Sequence, residues 1–238
     1  MDRDDGIERI LVVTAHPDDV DFGAAGSVAT WIDKGIEVAY CLVTAGEAGG
    51  EDRTMSRADM AALRRHEQTA AAKTVGVTNL TFLGYADGRV VATLELRRDI
   101  TRVIRTFRPH RVLTHQPDRD FRLIYANHPD HRATGAAALD AVYPDARNPF
   151  AHPELLEEGL EPWTVREVYL MTLMVGDTFV DITDTLERKT DALLRHESQI
   201  DDPSGRTELL RQWGRAAARA GGLPEGRFAE AFCRIDTA

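Results

Sequence analysis

Two polar clusters carry the side chains of this sequence that could do chemistry. His16-Pro17-Asp18-Asp19 directly follows the short apolar run Ile10-Leu11-Val12-Val13, and His128-Pro129-Asp130-His131 lies far downstream. His16 and Asp19 stand at i and i+3, so a first helical turn can aim both at one ion, and His131 supplies a third ligand from a distant loop. Two imidazoles and one carboxylate make a metal site with positions left open for water and substrate. Asp18 then lies beside the metal without binding it, which suits a general base, while His128 is a candidate acid with Asp130 available to orient it. Either cluster alone reads as an ordinary turn, because Pro fixes φ and Asp bonds its own backbone. Two clusters that each pair imidazole with carboxylate argue for a shared ion.

The elements that must position them alternate. A continuous apolar strand is predicted over 9–15, a helix over 22–34 ending near Gly35, a strand over 37–44 and a helix over 57–75 closed by Gly76. A strand near 79–83 leads to turn chemistry at Asp87-Gly88, a helix follows over 94–107, and Arg108-Pro109 stops it before a strand at 111–114. The next helix starts near His131. This alternation predicts a Rossmann-like α/β fold, a mostly parallel sheet with helices on both faces. In such sheets ligands bind beyond the C-terminal strand ends, where both clusters fall. The Pro-rich segment 144–165 reads as a connection lying over the site. Val168–Met171 reads as a later strand, Thr183 or Asp184 as the cap of a helix reaching about Arg195, and 205–220 as helical. Residues 1–238 are read as one domain, with the part from about 145 as a cover or self-association region.

Composition narrows the function classes. The 238 residues are 43% hydrophobic, enough for a packed core, and the formal charge of -10 with a pI near 5.3 speaks against nucleic acid or anionic membrane as partner. Cys41 and Cys233 are the only cysteines, too few for a disulfide framework, and are read as reduced and buried. The acidic start Met1-Asp2-Arg3-Asp4-Asp5 is unlike a secretory signal, and no apolar run approaches a membrane span, so a cytoplasmic location is expected.

Ala15-His16-Pro17-Asp18-Asp19 with Gly23 and Gly26, followed by His128-Pro129-Asp130-His131, resembles the PIG-L/LmbE-like zinc-dependent N-deacetylases. Weaker echoes extend the likeness over nearly the whole chain: Thr44-Ala45-Gly46-Glu47, Leu63-Arg64 with Glu67, Phe82-Leu83-Gly84 with Asp87-Gly88, and His196-Glu197-Ser198-Gln199. The resemblance implies zinc at His16, Asp19 and His131, with Asp18 as base. It implies that His128 stabilises or protonates the tetrahedral intermediate and that Asp130 orients it. It further implies substrate contacts for Arg64 and Asp87 and a place for His196 near the substrate. Val20 and His196 depart from the commonest family pattern. The implied substrate is a small-molecule N-acetylglucosamine conjugate, and the implied assembly is a homo-oligomer.

Amide hydrolysis needs an activated water, a stabilised oxyanion and a proton for the leaving amine. Metal and Asp18 meet the first demand, metal and His128 the second, and either His128 or Asp18 the third. Ferrous iron can stand in place of zinc. The alternatives are an amide hydrolase acting on a larger acyl group, a non-haem Fe(II) oxygenase, and a nucleotide-binding module using Gly23-Ala24-Ala25-Gly26 at a helix start. The oxygenase reading conflicts with the α/β alternation, and Asp18-Asp19 would repel a phosphate. Read locally, Arg64 pairs with Glu67 at i, i+3, Asp87 forms a turn, and Gly46, Gly49 and Gly50 mark a mobile substrate loop or an ordinary connection. His66, His110, His115 and His152 carry no catalytic assignment, although His115 could lie in an outer shell.

Overall fold

The computed structural model describes residues 4–121, 124–172 and 176–237. β1 (Arg9–Thr14) leads into the short helix α1 (Asp19–Gly23) and then α2 (Ala25–Asp33), so the helix expected over 22–34 is two helices, broken at Ala24. β2 (Glu37–Thr44), α3 (Arg57–Val75), β3 (Asn79–Tyr85), α4 (Leu94–Phe107) and β4 (Arg111–His115) follow close to the expected bounds. α5 (Pro129–Val142) begins at the second cluster itself, with His128 as its cap residue and Pro129 in its first turn, where a missing N–H costs nothing. After α6 (Pro153–Glu157) come β5 (Glu167–Met171), β6 (Thr178–Asp181), α7 (Leu186–Leu193), α8 (Pro203–Ala220) and β7 (Ala229–Asp236).

The strands form one sheet in the order β3-β2-β1-β4-β5-β7-β6. The first five pair parallel, whereas β7 is antiparallel to both β5 and β6. Because β1 is buried on both faces, its alternate side chains serve two cores. Ile10 and Val12 pack with Trp31 of α2, Ala71 and Val75 of α3 and Ala192 of α7, while Leu11 and Val13 pack with Leu96 and Ile100 of α4 and Ala137 and Ala141 of α5. Each fully buried aliphatic side chain contributes about 1.5–3 kcal/mol. The strand order reverses between β1 and β4, whose chain continuations therefore leave on opposite faces and open a crevice at their C-terminal ends.

Helix ends follow local chemistry. Ser56 caps α3 by accepting the Asp59 N–H, and Gly76, at φ 93°, closes the other end with its N–H on the Ala72 and Lys73 carbonyls. Ser56→Ala is expected to cost about 1 kcal/mol, read as a lower urea midpoint at unchanged slope. α7 is not capped by Thr183 or Asp184. Its cap residue is Thr185, whose hydroxyl donates instead to the Gly26 carbonyl.

The segment 144–165 does not lie over the crevice. Arg105 of α4 donates to the carbonyls of Asp145, Asn148 and Ala151, and Trp163 Nε1 donates to Pro109 O, next to the start of β4. These contacts draw the segment to the opposite edge of the sheet. Cys41 is buried and Cys233 half-buried, both as free thiols. No helix among the described residues is long and apolar enough to cross a membrane.

Candidate active site

The first cluster occupies the corner from β1 into α1, and the second opens α5 at the end of the loop that follows β4. At the first, Asp18 adopts a left-handed backbone, φ 83° and ψ -26°, which turns the chain from β1 into α1, and the Asp19 carboxylate reaches back to accept the His16 N–H at 2.7 Å. At the second, His128 Nδ1 accepts the Asp130 N–H at 3.2 Å, and the first turn of α5 projects His131 into the crevice. The N-termini of α1 and α5 thus meet from opposite faces of the sheet.

There His16 Nδ1 lies 3.3 Å from His131 Nε2 and 3.5 Å from Asp19 Oδ2, and His131 Nε2 lies 3.0 Å from Asp19 Oδ1. Those three residues are the expected ligand set, brought together from sequence positions on both sides of the crevice. The other ring nitrogen of His16, Nε2, faces Asp87 Oδ1 at 3.0 Å and Asp130 Oδ2 at 3.3 Å. A histidine with one nitrogen on carboxylates has its orientation fixed and its other nitrogen available to a metal.

The charges favour a cation. Burial opposes a charged His16, but Asp19, Asp130 and Asp87 outweigh it and push the imidazole up to about 12. Burial likewise opposes a charged Asp19, yet the surrounding His131, His115 and His16 hold its carboxyl well below the usual range. Asp19 with the His16 and His131 imidazoles forms a donor set that suits zinc or ferrous iron.

Several expected roles change. Asp130 does not orient His128 through its side chain: the carboxylate accepts Gly88 N at 2.7 Å and Val90 N at 3.2 Å and faces His16. Asp87, expected at a sugar hydroxyl, is only 7% exposed and is engaged by His16 and by Ala48 N at 2.8 Å. Arg64, 4% exposed, is not paired with Glu67. It donates to Asp18 Oδ2 at 3.0 Å, Pro17 O at 2.7 Å and Gly46 O at 2.9 Å. Gly46 and Gly49 make room for this guanidinium: a Cβ on either would lie 2.3 or 2.6 Å from Arg64 Nη1 and would have to displace it.

His196, placed near the substrate by resemblance, is fully buried at 0% exposure, with Nε2 2.8 Å from Asp21 Oδ2. Gln68 Nε2 donates to the same oxygen at 3.0 Å while its Oε1 accepts the Asp18 N–H at 2.9 Å. This buried chain links His196 to Asp18, and the charge of His196 also bears on the Asp18 carboxyl. Burial raises the Asp18 carboxyl to about 6 against the opposing pull of Arg64. The sequence reading missed Asp21 and Gln68, although Gln68 follows Arg64 by one helical turn on the same face of α3. His115, which the sequence placed after the fourth strand and in a possible outer shell, ends β4 and lies against Asp19 and His131.

The nucleotide-binding alternative fails at α2, whose first amides are already taken. Gly26 N and Ser27 N donate to Glu230 at 3.1 and 2.7 Å, and Glu230 is itself paired with buried Lys189.

Residues 11–142, more than half of the chain, match the family described as PIG-L, GlcNAc-PI de-N-acetylase. A diacetylchitobiose deacetylase of Thermococcus kodakarensis is 34% identical over 225 residues, covering 94% of this chain and 82% of that protein. A probable N-acetyl-alpha-D-glucosaminyl L-malate deacetylase 2 of Bacillus anthracis is 27% identical over 214 residues, covering 86% of each. Among solved structures, N,N'-diacetylchitobiose deacetylase from Pyrococcus horikoshii, complexed with its inhibitor MPG, superposes with a TM-score of 0.89 at 31% identity, covering 98% of this chain and 85% of that one. Likeness of this extent, carried through the strands and corners that build the crevice, settles the kinship: the chain belongs to the PIG-L, or LmbE-like, family of metal-dependent N-deacetylases.

Proposed function

We propose that this deacetylase removes the acetyl group from an N-acetylglucosamine-type sugar conjugate, using zinc held by His16, Asp19 and His131 and Asp18 as the general base. The observation that carries this reading is the division of labour at the first corner. Asp19 turns toward both histidines, whereas the neighbouring Asp18 turns away from them to Arg64. Ferrous iron fits the same donors.

A divalent cation held by His16, Asp19 and His131 would supply Lewis acidity for the acetyl carbonyl and would lower the pKa of water toward about 7. Asp18 takes the proton from the attacking water. Arg64 and the Gln68 bond to the Asp18 N–H hold that carboxylate in place. His128 is exposed, its ring 4.9 Å from that of His16 and 5.1 Å from that of His131. With Nδ1 accepting the Asp130 N–H, the His128 proton sits on Nε2 and is donated toward the carbonyl oxygen as it gains charge. Asp18 then returns its proton to the departing amine. The substrate class follows the relatives, whose names specify diacetylchitobiose and N-acetylglucosaminyl malate.

The test combines metal analysis of purified protein with acetate release from N-acetylglucosamine, diacetylchitobiose and N-acetylglucosaminyl malate, alongside N-butyryl counterparts. Chelation is expected to abolish acetate release and zinc to restore it. Release of butyrate without acetate would overturn the acetyl assignment, and full activity in metal-free protein would overturn the mechanism.

A further inference from the structure

His115 ends β4 and is buried, yet no step above uses it. It touches two of the three ligand residues. Its Nε2 lies 3.1 Å from Asp19 Oδ2, and its ring lies parallel to that of His131, with centroids 4.2 Å apart and an interplanar angle of 7°. The same nitrogen is 3.1 Å from Ala15 N, so β1, β4 and the ligand corner meet at this one imidazole.

A carboxylate can present either oxygen to an ion unless something fixes its rotation about Cβ–Cγ. Asp19 has two such restraints, both on Oδ2: the His16 N–H at 2.7 Å and His115 Nε2. Oδ1 is left facing His131 Nε2 at 3.0 Å. The His115 nitrogen cannot both donate to Asp19 and accept from Ala15. A charge-assisted bond to a carboxylate is roughly twice as strong as a neutral one, which places the proton on Nε2, directed at Asp19. The parallel ring at the same time limits rotation of the His131 imidazole.

We infer that His115 is a positioning residue for the metal centre: it locks Asp19 with Oδ1 toward the cation, backs the His131 ring, and so sets the affinity of the site for its ion. This inference rests on the metal ligands assigned under Proposed function. It does not depend on the identity of the sugar or the acyl group.

The experiment measures zinc dissociation constants by chelator competition for the wild type, His115→Phe and His115→Gln, with absorption spectra of the cobalt-loaded forms and melting of the metal-free forms. Phe keeps the stacked ring but lacks the nitrogen, and is expected to bind zinc about 10–100-fold more weakly. Gln returns an N–H donor without the ring and is expected to recover part of that loss. The cobalt spectrum of the Phe variant should keep the wild-type band pattern, because no ligand is removed. Wild-type affinity in His115→Phe would overturn the inference, as would an equal loss in both variants or a cobalt spectrum reporting a missing nitrogen ligand. If His115→Phe does not fold, wild-type zinc affinity in a folded His115→Ala, which removes both the nitrogen and the ring, overturns it instead. Wild-type protein that binds no zinc would refute the ligand assignment itself, an outcome distinct from all of these.

Discussion

Asp18→Asn is expected to lower kcat by about 10³-fold while zinc content stays at the wild-type level, within the range associated with losing a positioned general base. The substitution is unusually clean at this position. Asn adopts the left-handed backbone at least as readily as Asp, so the corner at φ 83° is retained. Its amide keeps the size of the carboxylate, and Arg64 keeps its bonds to the Pro17 and Gly46 carbonyls. The atoms of His16, Asp19 and His131 proposed to hold the metal are untouched. Single-turnover acetate release and metal analysis on the same preparation check the result. Activity within tenfold of wild type would remove Asp18 from the role of base, and loss of zinc would show that it serves the metal.

Gly135→Ala is expected to destabilise the protein by about 3 kcal/mol or more and to weaken metal binding together with it. Gly135 lies on α5 one turn beyond His131, and a Cβ there would sit 2.3 Å from the main-chain oxygen of His115. The obstacle is strand backbone, so no side chain can rotate away to relieve it. The missing methyl lets α5 press against the end of β4, and that close approach carries His131 to within 3.0 Å of Asp19. Displacing the helix therefore strains the fold and opens the ligand set. Chemical denaturation of the metal-free protein reads the first effect and zinc titration the second. A variant that melts and binds zinc like wild type would show that α5 can shift without disturbing the site.

The residues proposed as ligands could be picked out because they obey short-range rules. The i, i+3 spacing of His16 and Asp19, their place after an apolar run, and the alternation of strands and helices all point to one edge of a parallel sheet. What the sequence concealed depends on long-range geometry. Spacing suggested that Asp130 would serve its neighbour His128, but once the carboxylate meets the Gly88 and Val90 amides its free edge faces His16. Arg64 and Glu67 look like a surface pair, yet the fold buries both and sends them to different partners, Asp18 and Ser198. β7 escaped notice because its burial does not alternate. It is buried from Ala229 to Phe232 and exposed toward Asp236, the pattern of a strand that enters the core at one end only.

The meeting of α1 and α5 across the sheet also bears on how firmly the molecule holds together. α1 packs with α2 and α7 on one face, α5 with α4 on the other, and their first turns approach each other at the ligand set. A cation held there clasps the two layers through residues far apart in the sequence. By mass action, an ion bound to the folded chain alone adds about 2.7 kcal/mol of stability when its free concentration is a hundred times its dissociation constant. With such an ion bound, the stability of the folded chain would rise and fall with the free concentration of that ion.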